Sequence, residues 1–191
     1  MEKKNIHNTG EICYTKEKTD GGYVDMTDND KLLFEMMEFD KGDPARTQHL
    51  MKVYEYAHLI GVGENISKEE ARILEAAAIL HDIGILPCEK KYGYCNGKLQ
   101  EEEGPAFAKE ILERNGYSKE ETVRICYLIG HHHTYTNVDG IDYRILIEAD
   151  FLVNAFEESF GKEAILKMKE KIFRTESGKK LLEQNFGLEE E

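Results

Sequence analysis

The chain has 191 residues, of which 38 are acidic and 25 are basic, so its formal net charge is −13. This length suggests one domain with a substantial core. The acidic balance argues against a broad nucleic-acid surface and against adsorption to anionic membranes. No apolar run is long enough to cross a bilayer, and the first residues lack the apolar region of a secretory signal, so we predict a cytoplasmic protein.

Residues 1–26 are polar and contain the turn signal "TDGGY", which predicts a loosely ordered arm before a helical domain at 27–191. The first helix is predicted after Thr27 or Asp28. A second begins at Asp43 as N-cap with Pro44 in the first helical position. Capping boxes then predict two further helix starts, at Ser67 with Glu70 and at Ser118 with Glu121.

The remaining segments are also helical in pattern, except for residues 85–103, which combine glycines, lysines and tyrosines. We interpret 85–103 as an irregular lid loop, followed by a helix that starts at Gly104 and Pro105. The segment "IDYRILIEADFLVNAFEESFG" is the most apolar and predicts the central helix, and two shorter amphipathic helices follow it. No segment alternates as a strand would, so the sequence predicts an all-α, single-domain bundle.

Histidine and aspartate occur in unexpectedly apolar surroundings at several places. His81 and Asp82 follow the apolar run 76–80, Asp150 lies in the most apolar helix, and His49 lies near an apolar stripe. Each has an ordinary explanation alone, as a solvated helix end, a hydrogen-bonded carboxylate or a satisfied core histidine. Burying them together is costly without a partner, and one metal ion would satisfy all of them. Three consecutive histidines, 131–133, add further potential ligands at a helix end.

The order of these residues resembles the HD-domain metal-dependent phosphohydrolase superfamily, whose signature is H…HD…D on an all-α fold. The similar segments are "RTQHLMKVYEYA", "EAAAILHDIG", "GPAFAKEIL", "YLIGHH" and "ILIEADFL", within about 43–156. The resemblance implies that His49, His81, Asp82 and Asp150 bind a divalent transition metal. Fe, Mn, Ni, Co and Zn all suit imidazole and carboxylate ligands, and we expect one tightly bound ion.

The chain departs from family members that hold a second metal. Gln100 stands where a histidine would be expected, and an amide is a poor ligand for such metals. His131 and His132 are the predicted second-metal pair, with His132 and His133 one register away, and this second site is expected to be weak. Ile85 replaces the lysine of the cyclic-dinucleotide phosphodiesterase branch, whose "GYP" motif is also missing, which argues against that substrate.

The resemblance implies hydrolysis of a phosphate monoester or diester on a small metabolite or nucleotide by metal-activated water. In this hypothesis Asp82 is both a ligand and a catalytic residue, together with His131 and His132. The predicted substrate-binding residues are Arg46, Tyr94, Lys98, Gln100 and His133. Two alternatives stay open: a catalytically weak nucleotide- or phosphate-binding sensor, and a di-iron oxygenase, against which Gln100 counts. The sequence leaves the oligomeric state open.

Overall fold

The computed structural model describes residues 26–188, so the predicted arm at 1–26 lies outside the described residues except for its last position. Within this range every regular element is a helix and no strand is found, which confirms the all-α prediction. The helices are α1 (Asp28–Phe39), α2 (Pro44–Gly63), α3 (Lys68–Leu80), α4 (Ile85–Tyr92), α5 (Gly97–Arg114), α6 (Lys119–Ile129), α7 (Gly140–Glu157), α8 (Lys162–Ile172) and α9 (Glu176–Phe186).

The predicted helix starts are confirmed by their capping contacts. Ser67 and Ser118 cap α3 and α6, and each forms a reciprocal capping box with the glutamate three residues later. Asp43 accepts a hydrogen bond from the backbone N–H of Arg46 at 3.1 Å, and Pro44 opens α2. Since these side chains satisfy backbone donors that the first turn leaves unpaired, local sequence fixes where these helices begin.

The irregular lid predicted at 85–103 is not observed, because most of this segment is helical. α4 ends at Gly93, whose φ of +78° suits glycine, and α5 starts only four residues later. Asn96 caps α5 by accepting a hydrogen bond from the backbone N–H of Leu99 at 3.0 Å. The predicted start at Gly104 is therefore wrong by seven residues, and Pro105 lies inside α5.

Three helices form the centre of the bundle. α2 packs against both α3 and α7, and α7 is buried on nearly all sides, as its composition predicts. The α3–α4 turn approaches α5 closely at Gly84, where an added Cβ would lie 2.8 Å from the carbonyl oxygen of Gln100. This approach places Gln100 beside the turn that carries His81 and Asp82. No helix in 26–188 is long and apolar enough to span a membrane.

Candidate metal centre

The first group of candidate ligands comprises His49 of α2, His81 just after α3, and Asp150 of α7, all of them buried. The Nε2 atoms of His49 and His81 are 3.2 Å apart. The Oδ1 atom of Asp150 lies 3.3 Å from Nε2 of His49 and 3.6 Å from Nε2 of His81. Three helices that are far apart in sequence therefore direct one nitrogen or oxygen each to a common point.

Each member of this group makes a second contact, which lies behind the ring for the two histidines and at the facing oxygen itself for Asp150. The Nδ1–H of His81 donates to the carbonyl oxygen of Ala78 at 2.8 Å, which leaves Nε2 as the ring nitrogen that faces the centre. Asn154 donates from Nδ2 to Oδ1 of Asp150 at 2.8 Å. Nδ1 of His49 lies 2.8 Å from Oε2 of Glu157. These contacts fix the side chains in orientations suited to metal coordination.

The second group comprises Asp82, His132 and His133. The carboxylate of Asp82 reaches both groups: its Oδ2 lies 3.5 Å from Nε2 of His49 and of His81, and its Oδ1 lies 3.5 Å from Nε2 of His132. His132 donates from Nδ1–H to the carbonyl oxygen of Ile129 at 2.7 Å. Asp82 is thus the geometric link between the groups.

Gln100 lies at the second group, as its predicted position requires. Its Oε1 is in contact with Nε2 of His133. Glu101 holds the same turn by accepting hydrogen bonds from the backbone N–H of His133 and from Oγ1 of Thr134, both at 3.0 Å. An added Cβ at Gly97 would lie 2.8 Å from the His133 ring, so the start of α5 packs directly against that imidazole.

His131 belongs to neither group, which corrects the predicted pairing of His131 with His132. Its Nδ1–H donates to the carbonyl oxygen of Tyr127 at 2.7 Å, and its ring stacks on Tyr127 with centroids 4.2 Å apart. The pair directed to the site is His132 with His133, the register that the sequence left open. The physical reason is the turn that follows α6, which rotates His131 back onto its own helix.

The electrostatics of the first group tie cationic imidazoles to carboxylates. Burial disfavours the charged form of His49, but the hydrogen bond to Asp150 and the charge of Asp82, with Glu157 behind the ring, raise its pKa to about 9. Burial likewise opposes the charge of Asp150, yet its hydrogen bonds with His49 and His81 hold its pKa well below the usual range. The group therefore strongly favours positive charge at its centre.

In the second group, the surroundings of His133 favour the neutral form of its imidazole. Burial and the neighbouring charge of His132 lower the pKa of His133 to about 4. Burial opposes ionisation of Asp82, but the positive charges of His81, His132 and His49 hold its pKa far below the usual range. An ionised carboxylate and a neutral imidazole are the protonation states that a metal ion requires of its ligands.

The donor set fits a divalent transition metal. Within 26–188, Nε2 of His132 is buried without a hydrogen-bond partner, a costly state that a bound cation would relieve. The two Nε2 atoms at 3.2 Å in the first group also face each other, and a cation between them would remove the need for a shared proton. Mixed imidazole and carboxylate donors are typical of Fe, Mn, Co, Ni and Zn sites.

Three predicted substrate-binding side chains are not directed to the two groups, because one is held in ion pairs and two are exposed to solvent. Arg46 forms ion pairs with Glu89 at 2.6 Å and Asp43 at 3.3 Å. Lys98 is 82% exposed and lies 3.7 Å from Glu102, one turn along α5. Tyr94 is also exposed. Only Gln100 and His133 of the predicted set are brought to the two groups.

The sequence did not identify two residues that contact the first group, Asn154 and Glu157, or a buried carboxyl near the centre, Asp40. Asp40 is buried at the end of α1, and burial raises its pKa to about 6, with the Arg46 charge opposing and those of nearby carboxylates, Asp82 included, adding to the rise. Asn154 and Glu157 follow Asp150 by four and seven residues, the spacing of one helix face. That spacing is the signal that could have identified them.

Comparison with known proteins agrees with this geometry. The family model of the HD domain matches residues 46–167, most of the chain. The chain belongs to the HD domain family. A crystal structure of a predicted HD superfamily hydrolase from an uncultured Thermotogales bacterium is also similar, with a TM-score of 0.60 and 26% identity over 83% of this chain and 84% of that one. No curated protein sequence matches the chain. All four residues of the expected HD signature lie inside the matched range.

Proposed function

We propose that this HD domain is a metal-dependent phosphohydrolase that cleaves a phosphate monoester or diester of a small metabolite or nucleotide. The single observation that carries the proposal is the Asp82 carboxylate, which lies between two groups of imidazole and carboxylate donors. The similar solved protein is a predicted HD superfamily hydrolase, which supports hydrolysis as the reaction class.

In this proposal His49, His81, Asp150 and Oδ2 of Asp82 hold a divalent cation tightly. A cation bound there supplies a Lewis acid that lowers the pKa of water and polarises a phosphoryl oxygen. Asp82 has its second oxygen directed to His132, so it can orient an attacking water by hydrogen bonding while ligating through the first. His132 and His133, with Oδ1 of Asp82, would hold a second cation more loosely or contact the phosphate.

Gln100 suits a role in substrate binding. Because its Oε1 faces His133, its amide NH₂ remains to donate a hydrogen bond to a phosphate oxygen. The charge of Arg46 is already compensated by the carboxylates of Glu89 and Asp43, which reduces its attraction for a phosphate. A net charge of −13 slows the approach of large polyanions, which favours a small substrate.

The contact between Gln100 and His133 favours a second candidate function, a nucleotide- or phosphate-binding sensor with weak catalysis. Gln100 engages His133, and an amide in this position weakens the second group as a metal site. A di-iron oxygenase needs two well-held metals, and Gln100 argues against it for that reason.

The test is a panel of phosphate monoesters, diesters and nucleotides, run separately with Mn, Co, Ni, Mg and Fe. Protein stripped with a chelator serves as control, and each metal is then added back. Turnover that requires the added metal supports the phosphohydrolase. Metal-dependent binding of a nucleotide without turnover favours the sensor, and the absence of both would contradict both proposals.

A further inference from the structure

The three best-placed imidazoles of the centre are held in two different ways. His81 and His132 each donate from Nδ1 to a backbone carbonyl of their own helix, three residues earlier. His49 instead meets a carboxylate from another helix: Nδ1 lies 2.8 Å from Oε2 of Glu157, 108 residues away in sequence. Since α2 offers His49 no carbonyl, its orientation depends on α7.

The second oxygen of Glu157 is also engaged. Nζ of Lys52 lies 2.5 Å from Oε1, and Lys52 follows His49 by three residues on the same face of α2. Glu157 therefore accepts from His49 and Lys52 together, and its two oxygens cannot turn independently. The same face of α7 also presents Asp150, a member of the first group.

We propose that Glu157 is a positioning residue of the metal centre, which holds the His49 imidazole with Nδ1 protonated and Nε2 directed at the cation, while Lys52 holds Glu157. The inference rests on the proposed function only in requiring a metal at the first group. The phosphate ester and the reaction play no part in it.

The physical basis is the tautomer of the ligand. A neutral imidazole carries one proton, and a carboxylate acceptor at Nδ1 favours the tautomer in which the Nε2 lone pair is free for a metal. The carboxylate also makes the ligand more basic, and loss of such a partner commonly weakens metal binding about 10- to 100-fold. Without Glu157 the ring can rotate about its side-chain bonds and the other tautomer becomes accessible.

A purely structural role predicts different consequences. The side chains of Lys52 and Glu157 are 38% and 30% exposed, and an ion pair so placed adds little to stability. If Glu157 only joined α2 to α7, its loss would lower the stability of the metal-depleted protein slightly and leave the metal affinity of the first group unchanged. Metal affinity therefore separates the two roles, and the state of Nδ1 reports whether the His49 ring is still held.

The experiment compares Glu157→Ala and Glu157→Gln with Glu158→Ala, which removes the adjacent exposed carboxylate. Affinity for Zn²⁺ and Co²⁺ is measured by chelator competition without any phosphate ester. We expect Glu157→Ala to bind the first ion about 10- to 100-fold more weakly. Glu157→Gln keeps an oxygen acceptor and should recover part of this loss, while Glu158→Ala should match the wild type.

The second readout is NMR of the zinc-loaded protein labelled with ¹⁵N in histidine. The Nδ1–H proton of His49 should be shifted downfield and protected from exchange in the wild type and in Glu158→Ala, and unprotected in Glu157→Ala. Affinities of Glu157→Ala and Glu157→Gln within twofold of the control, or an unchanged Nδ1–H signal in Glu157→Ala, would overturn the inference. Failure to cleave any phosphate ester would count against the proposed function alone.

Discussion

The two groups of the centre differ in how firmly their side chains are held. In the first group, His49, His81 and Asp150 are buried, and each makes a second contact, behind the ring for the two histidines and at the facing oxygen for Asp150. In the second, Asp82 is partly exposed and Nε2 of His133 is in contact with Gln100 instead of lying free. Preorganised donors bind a cation without reorganisation, so this difference predicts one tight and one weak ion.

The origin of the side chains explains the contrast. The first group comes from helices α2 and α7 and from the end of α3, which pack together in the core. The second comes from the turn after α3 and from the turn after α6, where His132 and His133 lie. A core formed by packed helices fixes geometry more closely than two facing turns do.

The largest effect is expected at Asp82, because it serves both groups. Asp82→Asn removes the charge while keeping nearly the same shape. We expect kcat/KM on the best substrate to fall about a thousandfold or more, which is about 4 kcal/mol of transition-state stabilisation. Circular dichroism should show an unchanged helix content. Activity within tenfold of the wild type would mean that the link between the two groups is not needed.

A smaller effect is expected when one imidazole of the second group is removed. His132→Ala should lower kcat roughly 10- to 100-fold while one metal ion per chain is retained, because the first group keeps all its members. His131→Ala is the matched control, since His131 stacks on Tyr127 outside both groups. Kinetics and elemental analysis measure these two effects. Equal losses of kcat in both variants would indicate that His131 also acts at the site.

The groups should also differ in their response to pH. His49 has a pKa raised to about 9, so a metal ion entering the first group at lower pH must displace its proton. Affinity of the first ion should therefore rise at least about tenfold per pH unit between pH 7 and 8, because the pKa of His81 is raised as well. His133, with a pKa lowered to about 4, is already neutral and adds no such dependence.

This prediction is checked by calorimetric titration at several pH values in buffers of different ionisation enthalpy, which reports the protons released. The first binding step should release at least one proton at pH 7, because the pKa values of His49 and His81 are both raised. A first step that releases no proton would contradict the charged state assigned to those imidazoles.

The mildest change concerns Gln100. Gln100→His replaces an amide with a better ligand for a transition metal and should tighten the second ion by roughly tenfold. The first ion should be unaffected, because Gln100 contacts none of its ligands. Competition titrations with a chelator measure both steps, and a change confined to the first ion would show that the two groups are not independent.

The sequence predicted the first group and most of the helices for the same physical reason. His49, His81 and Asp150 stand out because buried polar side chains in apolar helices require partners, and helix periodicity locates the buried face. Capping boxes such as Ser67 with Glu70 depend only on neighbouring residues, and the structure confirms them at the predicted positions.

Which two of the three consecutive histidines join the second group could not be predicted in this way. The register of three consecutive histidines is set by the turn after α6, and no periodicity distinguishes His131 from His133. The prediction of a loop at 85–103 was wrong because tyrosines, lysines and glycines together are typical of loops, whereas this segment is mostly helical. The decisive signals were short, namely Asn96 as an N-cap and Gly93 as a helix end. The contact of Glu157 with His49 joins distant segments, which a single sequence does not report.

The most direct test of the central claim is a count of metal ions in wild-type protein that is first stripped, then loaded with Mn²⁺ or Co²⁺ and dialysed. Our account predicts one ion retained per chain. It also predicts a second ion that binds only on titration, at least roughly tenfold more weakly than the first, since its donors are less well held. Two ions retained with equal affinity would contradict the predicted difference in metal affinity between the two groups. They would also contradict the prediction that Gln100 weakens the second group.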